Sequence, residues 1–163
     1  MNVLFFLTPK TDVAYVSEDD SLRQVMEKMD YYKYSAVPIL GEDGKYKGTI
    51  TEWDLLWKIK QDGKFDIKEM EDISVMSIDR RVENITVNIN KNIEELVLKL
   101  MDQNFIPVVD DDDVFIGIVK RRDIIEYFFN RDIKNHCKSL FMKKLTNFAI
   151  SMSMPLLWND STL

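Results

Sequence analysis

Residues 48–59 read GTITEWDLLWKI, and residues 117–128 read GIVKRRDIIEYF. In each, a Gly opens a short apolar strand pattern that gives way to apolar residues at helical spacing. Leu55, Leu56 and Ile59 start one amphipathic helix; Ile124, Ile125 and Phe128 start its counterpart. At the junction stand Thr51 and Asp54 in the first stretch and Lys120 and Asp123 in the second.

Working outward, the likeness extends. Ala36-Val37-Pro38-Ile39 falls opposite Phe105-Ile106-Pro107-Val108, Gly48 opposite Gly117 and Asp54 opposite Asp123, all at an offset of 69. Further upstream the offset is 71, pairing Val16 with Val87, Leu22 with Ile93, Met26 with Val97 and Met29 with Leu100. The second copy is therefore two residues shorter between its first helix and its Pro. An internal repeat of this kind means two copies of one supersecondary unit. Two copies are too few for a solenoid, so they are expected to pack face to face about a pseudo-twofold axis, each covering the other's apolar face.

Each copy has one grammar. An extended piece (Val13 to Val16; Ile85 to Ile89) leads into capping groups in Ser17-Glu18-Asp19-Asp20 or Asn90-Lys91-Asn92. A helix follows, with Leu22, Val25, Met26 and Met29, or Ile93, Leu96, Val97, Leu100 and Met101, as its core stripe. A strand, a turn at Gly41-Glu42-Asp43-Gly44 or Asp110 to Asp113, and a second strand (Tyr46 to Ile50; Val114 to Val119) form a hairpin before the last helix. The expected fold is α/β (α+β), with the order strand, helix, strand, strand, helix repeated in tandem. Repeat 1 is placed at 8–60 and repeat 2 at 80–129. Between them, 61–79 is a linker with a helix stop at Asp62-Gly63 and a short packed element within Ile67 to Met76. Residues 130–163 form an extension whose end, from Ser151, reads as a peripheral tail. Its Met152, Met154, Leu156, Leu157 and Trp158 ask for cover from a partner or second subunit.

Bulk properties bound the function. A chain of 163 residues, 45% hydrophobic and 31% charged, belongs with ordinary soluble globular proteins of one or two domains. No apolar run approaches the roughly 18 residues of a membrane span, and the opening VLFFL lacks a basic leader. The lone cysteine, Cys137, fits a reducing compartment, and cytoplasm is the expected location. A net charge of −6 argues against a broad nucleic-acid surface. Arg80-Arg81 and Lys120-Arg121-Arg122 remain as local basic spots suited to a small phosphate ligand.

The segments YSAVPIL (34–40), GTITEWDLL (48–56) and NFIPVVDDDDVFIGIVKRRDII (104–125) carry a resemblance to the CBS domain family, whose tandem pair is called a Bateman module. The likeness covers about Thr8 to Phe129. It implies an adenosine ligand, such as AMP, ADP, ATP, S-adenosylmethionine or cyclic di-AMP, held in one or both of two clefts between the repeats. It also implies a homodimer, and a module that senses rather than catalyses and passes its signal to an effector protein. The charge and the short apolar runs, in turn, point to no nucleic acid and no membrane partner.

Carried over by residue, the resemblance builds a first cleft from Thr51 and Asp54 with Asn84, Ile85 and Thr86 and with Phe105 and Ile106. A second combines Lys120 and Asp123 with Val13, Ala14 and Tyr15 and with Tyr34, Ser35 and Ala36. Arg80, Arg81, Arg121 and Arg122 are the phosphate candidates. Thr51 and Asp54 have two readings. They are a capping box, or they meet ribose and phosphate, since a carboxylate at a helix start accepts from vicinal hydroxyls and the amides there favour an anion. Lys120 cannot cap as Thr does, though its ammonium can meet a phosphate, so the clefts should differ. The intact Thr51/Asp54 edge is the expected better site.

An enzyme is the rival reading. The only histidine, His136, neighbours Cys137 beyond both repeats, and adjacent residues do not face one another on a helix. No Walker loop, nucleophile elbow or zinc-ligand spacing is present. Asp110 to Asp113 lack the alternation of a calcium loop and read as a solvated turn. The remaining alternative is a ligand-free structural or interaction module.

Overall fold

The computed structural model describes residues 2–63, 66 and 68–131. The chain divides into residues 1–124 and 125–163, and of the second unit only 125–131, helical throughout, are described.

Both repeats build the expected hairpin, with the same register. In the first, β3 (Ala36–Leu40) runs antiparallel to β4 (Tyr46–Thr51), pairing Ala36 with Thr51, Val37 with Ile50, Pro38 with Thr49 and Ile39 with Gly48. In the second, β6 (Phe105–Val109) pairs with β7 (Phe115–Lys120) through Phe105 with Lys120, Ile106 with Val119, Pro107 with Ile118 and Val108 with Gly117. A bulge interrupts each ladder at the same step, between Ile39 and Leu40 and between Val108 and Val109. Short parallel strands, β2 (Val16–Ser17) and β5 (Val87–Asn88), lie beside β3 and β6.

The repeats meet about a pseudo-twofold axis. Only on such an axis does a residue touch its own counterpart, and two residues do. Lys45 bridges Val114, 69 positions on, and the Tyr46 ring stacks on Phe115, its equivalent, with centroids 6.4 Å apart. Phe115, Phe105 and Ile118 of one repeat share a core cluster with Val13 and Leu40 of the other.

The helices follow from their caps and stripes. Helix α1 (Leu22–Tyr32) buries Leu22, Val25 and Met29, and its capping box joins Ser21 to Gln24. The cap is thus Ser21 rather than the run Ser17 to Asp20, where the Asp20 carboxylate instead accepts from the Ser17 N–H. Helix α2 (Glu52–Asp62) is capped by Thr51 and stops at Gly63, whose φ of +65° suits a residue without Cβ. Helix α3 (Ile93–Lys99) has seven residues against eleven in α1, so the deletion read from the offset change falls on the helix end and the loop after it. Its Ile93, Leu96 and Leu100 are buried while Val97 and Met101 stay exposed. The linker packs: Met70 and Val75, on short 3-10 turns, and Ile78 complete the first repeat's core with Val16, Leu22, Ile39 and Ile50.

One element was not expected. The opening residues form a 3-10 turn (Val3–Phe6) that buries Val3 and Phe6, then β1 (Leu7–Pro9), which pairs antiparallel with β7 of the distant second repeat. The four-stranded sheet is thus ordered β1-β7-β6-β5, and β2-β3-β4 make a sheet of three. Gly117 allows this approach, since a Cβ there would meet the Thr8 carbonyl oxygen and lie 3.1 Å from the Pro9 Cα.

Candidate functional site

The strands leave a cavity of about 520 Å³ between the repeats, within the range usual for small-ligand sites. Val13 and Ala14 line one side, Tyr34, Ser35, Ala36 and Pro38 another, and Phe105, Ile118, Lys120 and Arg122 the rest. Most of the expected second cleft is therefore brought together. Tyr15 and Asp123 stand outside the lining, and Phe105, assigned by sequence to the first cleft, lines this one instead.

Its charge is mostly positive. Lys33, Lys120 and Arg122 face Asp12 as the single acid among the lining residues, and the Lys33 ammonium is itself paired with Asp30 at 2.7 Å. Lys33 and Asp12 were missed by the sequence reading. Lys33 reaches the cavity because it ends α1 in the left-handed conformation, φ 56°, which turns the chain sharply into Tyr34. The Tyr34 ring stacks on Tyr32 with centroids 5.9 Å apart, which holds it at the rim. Asn104, also missed, lies opposite Ser35 in the repeat and accepts from the Arg121 N–H at 2.9 Å, as Ser35 accepts from Glu52 at 3.0 Å. The Arg121 guanidinium also donates to the Asn104 side chain, so that cation is committed to the wall.

At the start of the helical residues 121–131, Lys120 stands where Thr51 caps α2. Asp123 is half-buried and its carboxylate accepts no hydrogen bond from the described residues. The Ala14 backbone N–H and C=O likewise meet no partner among the described residues. Exposed backbone donors and acceptors beside apolar walls are what a planar heterocycle with a polar edge needs.

The residues of the first cleft are arranged differently. Asp54 is only 4% exposed. Its Oδ2 accepts from Thr51 Oγ1 at 2.6 Å and from the Thr51 N–H at 2.9 Å, and its Oδ1 accepts from the Arg81 N–H at 3.1 Å. The Asp54 N–H donates back to Thr51 Oγ1 at 3.2 Å, so the capping reading of this pair describes its geometry. Arg80 crosses Gly48, and its Nη1 is buried without a hydrogen-bond partner among the described residues. On the other wall, Ile85 bonds to the side chain of Gln103, and the Thr86 carbonyl accepts from Lys99 Nζ at 3.2 Å. Asn84 is half-buried and Ile106 lies wholly within the sheet core.

The profile of the CBS domain matches residues 6–61 and again 73–130. The chain belongs to the CBS domain family. Relatives include the inosine-5′-monophosphate dehydrogenase of Methanocaldococcus jannaschii, 31% identical over 118 residues, or 71% of this chain and 21% of that protein. A homoserine O-acetyltransferase of Methanococcus vannielii is 22% identical over 111 residues, 67% of this chain and 21% of that one. This chain therefore spans about a fifth of the length of these two relatives. Among solved structures, the Listeria monocytogenes protein CbpB in complex with c-di-AMP superposes with a TM-score of 0.67 at 25% identity, over 81% of this chain and 97% of that one. CBSX2 in complex with AMP has the same fold, with a TM-score of 0.63 at 21% identity over 80% of this chain and 98% of that one.

The Asp110 to Asp113 run forms the hairpin turn of its CBS repeat. Asp110 Oδ1 accepts from the N–H groups of Asp112 and Val114, both at 2.9 Å, so that carboxylate serves its own turn. His136, Cys137 and the apolar residues after Ser151 lie outside the described residues. Among the described residues no helix is long and apolar enough to cross a membrane.

Proposed function

We propose that this CBS pair is a regulatory module that binds an anionic adenosine nucleotide and acts on another protein, with no chemistry of its own. The observation that carries the reading is the cavity between the repeats, where apolar walls, the open backbone of Ala14 and the cations Lys120 and Arg122 converge. An adenine fits between Val13, Ala14 and Phe105, with its edge on the Ala14 backbone. The ammonium of Lys120 and the guanidinium of Arg122 meet phosphate as point charge and fork. Asp123, outside the cavity lining but accepting no hydrogen bond from the described residues, is the acceptor offered to a ribose diol that extends past Lys120. The positive lining suits AMP, ADP, ATP or cyclic di-AMP and disfavours S-adenosylmethionine, whose sulfonium adds a cation. CbpB, crystallised with c-di-AMP, supports a nucleotide as the ligand class. The module works in the cytoplasm as a homodimer, for which the groove of Met26, Met29, Leu55, Leu56 and Ile59 between α1 and α2 offers an apolar face beside the exposed Trp53 and Tyr31.

Thermal unfolding against AMP, ADP, ATP, cyclic di-AMP, S-adenosylmethionine and a GTP control tests this. A ligand near 100 times its Kd adds roughly 2.7 kcal/mol, which raises the midpoint by roughly 5 to 10 °C for a chain of this size. The expected shift is selective for the anionic adenosine ligands and shrinks in Lys120→Glu. No shift across the panel for folded protein freed of ligand would leave the interaction module as the better account.

A further inference from the structure

Gln103 is one of only three buried polar side chains among the described residues, at 6% exposed. Its Oε1 accepts from the Ile85 N–H at 3.2 Å, and its Nε2 lies 3.5 Å from the Ile85 carbonyl oxygen and 3.4 Å from that of Phe105. The side chain therefore ties the Ile85 segment to β6 and engages both backbone groups of Ile85. A primary amide offers an adjacent donor and acceptor in one plane, the same pair that adenine presents at its N6 and N1 edge.

The repeat makes the comparison internal. Ile85 is the counterpart of Ala14 at the offset of 71, and Gln103 is the counterpart of Tyr34 at the offset of 69. In the second cleft Tyr34 has no amide, the Ala14 backbone is open and a cavity lies beside it. In the first, the equivalent backbone edge is already paired.

We propose that Gln103 is an internal stand-in for an adenine, closing the first cleft so that the protein takes one nucleotide per chain. The count of one rests on the function proposed above; the closure of the first cleft does not. The phosphate candidate Arg80 is unspent, since its Nη1 is buried without a hydrogen-bond partner among the described residues. Removing the amide uncovers a base edge and leaves Ile85 with unpaired groups that a base would satisfy.

The test is AMP titration by calorimetry of the wild-type protein and Gln103→Ser, with amide 15N–1H spectra of the wild type. The expected result is one equivalent per chain for wild type, with the Ala14 amide moving and the Ile85 amide still, and two equivalents for Gln103→Ser. A saturable shift of the Ile85 amide in wild type, or two wild-type sites, overturns the closure without any variant. A folded Gln103→Ser that still takes one equivalent also overturns it while sparing the proposed function. Binding to Gln103→Ser alone would uphold the closure and remove the nucleotide reading of the second cleft; binding to neither removes both.

Discussion

Thr51 and Asp54 show how one residue pair serves a local and a tertiary purpose. Their reciprocal bonds satisfy donors at the start of α2, and the second Asp54 oxygen fixes the chain that returns from the linker through the Arg81 N–H. Replacing Thr51 by Ala removes the cap acceptor and costs about 1 kcal/mol. Urea unfolding measures this directly, and an unchanged midpoint would show that α2 is held by its buried Leu55 and Ile59 alone. Lys120 does not repeat the cap, and its half-buried ammonium lines the cavity. That single difference separates a closed helix start from an open one.

At the scale of elements, the opening segment has the largest consequence. Val3 and Phe6 are buried, and β1 pairs with β7, which would otherwise be an open sheet edge. Because β1 opens the first repeat and closes the sheet of the second, it ties the two repeats together as well as completing one. Truncating Phe6 to Ala should cost about 3–5 kcal/mol, the usual loss for a large buried aromatic. A loss below about 1 kcal/mol in chemical denaturation would show the segment to be a peripheral strap.

At the scale of the whole molecule, the repeats are joined on their pseudo-twofold axis by the Tyr46 and Phe115 stack. Burial pushes the Tyr46 hydroxyl up to about 12, while its bond to Thr49 at 2.7 Å and the nearby Arg80 pull weakly the other way. The unfolded phenol ionises near about 10. Between those values the unfolded chain holds fewer protons than the folded one, so stability falls as pH rises through the window and is intact below it. The Tyr46 contribution lost by pH 12 is on the order of 2–3 kcal/mol. Unfolding free energies of wild type and Tyr46→Phe measured across this range should diverge from their difference at neutral pH by that amount; parallel profiles would refute the assignment.

Two offsets in the sequence, 69 and 71, carried the repeat, the hairpins, both Asp positions and the deletion that shortens α3, because period and turn chemistry are local and survive duplication. The CBS family was legible for the same reason. Its resemblance named Val13, Ala14, Tyr34, Ser35, Ala36, Lys120 and Arg122 of the cavity lining, put Phe105 in the other cleft, and passed over Asp12, Lys33 and Asn104. The long-range pairings beside the Thr51/Asp54 edge were not legible: a Gln 18 residues along the chain from Ile85 folds back onto its backbone, the linker brings Arg81 onto Asp54, and a cavity lies beside Lys120. Nor did VLFFL announce a strand that pairs more than a hundred residues away. Both outcomes depend on which distant backbone groups find a partner, and hydrogen-bond satisfaction across long separations is decided only when the chain has folded.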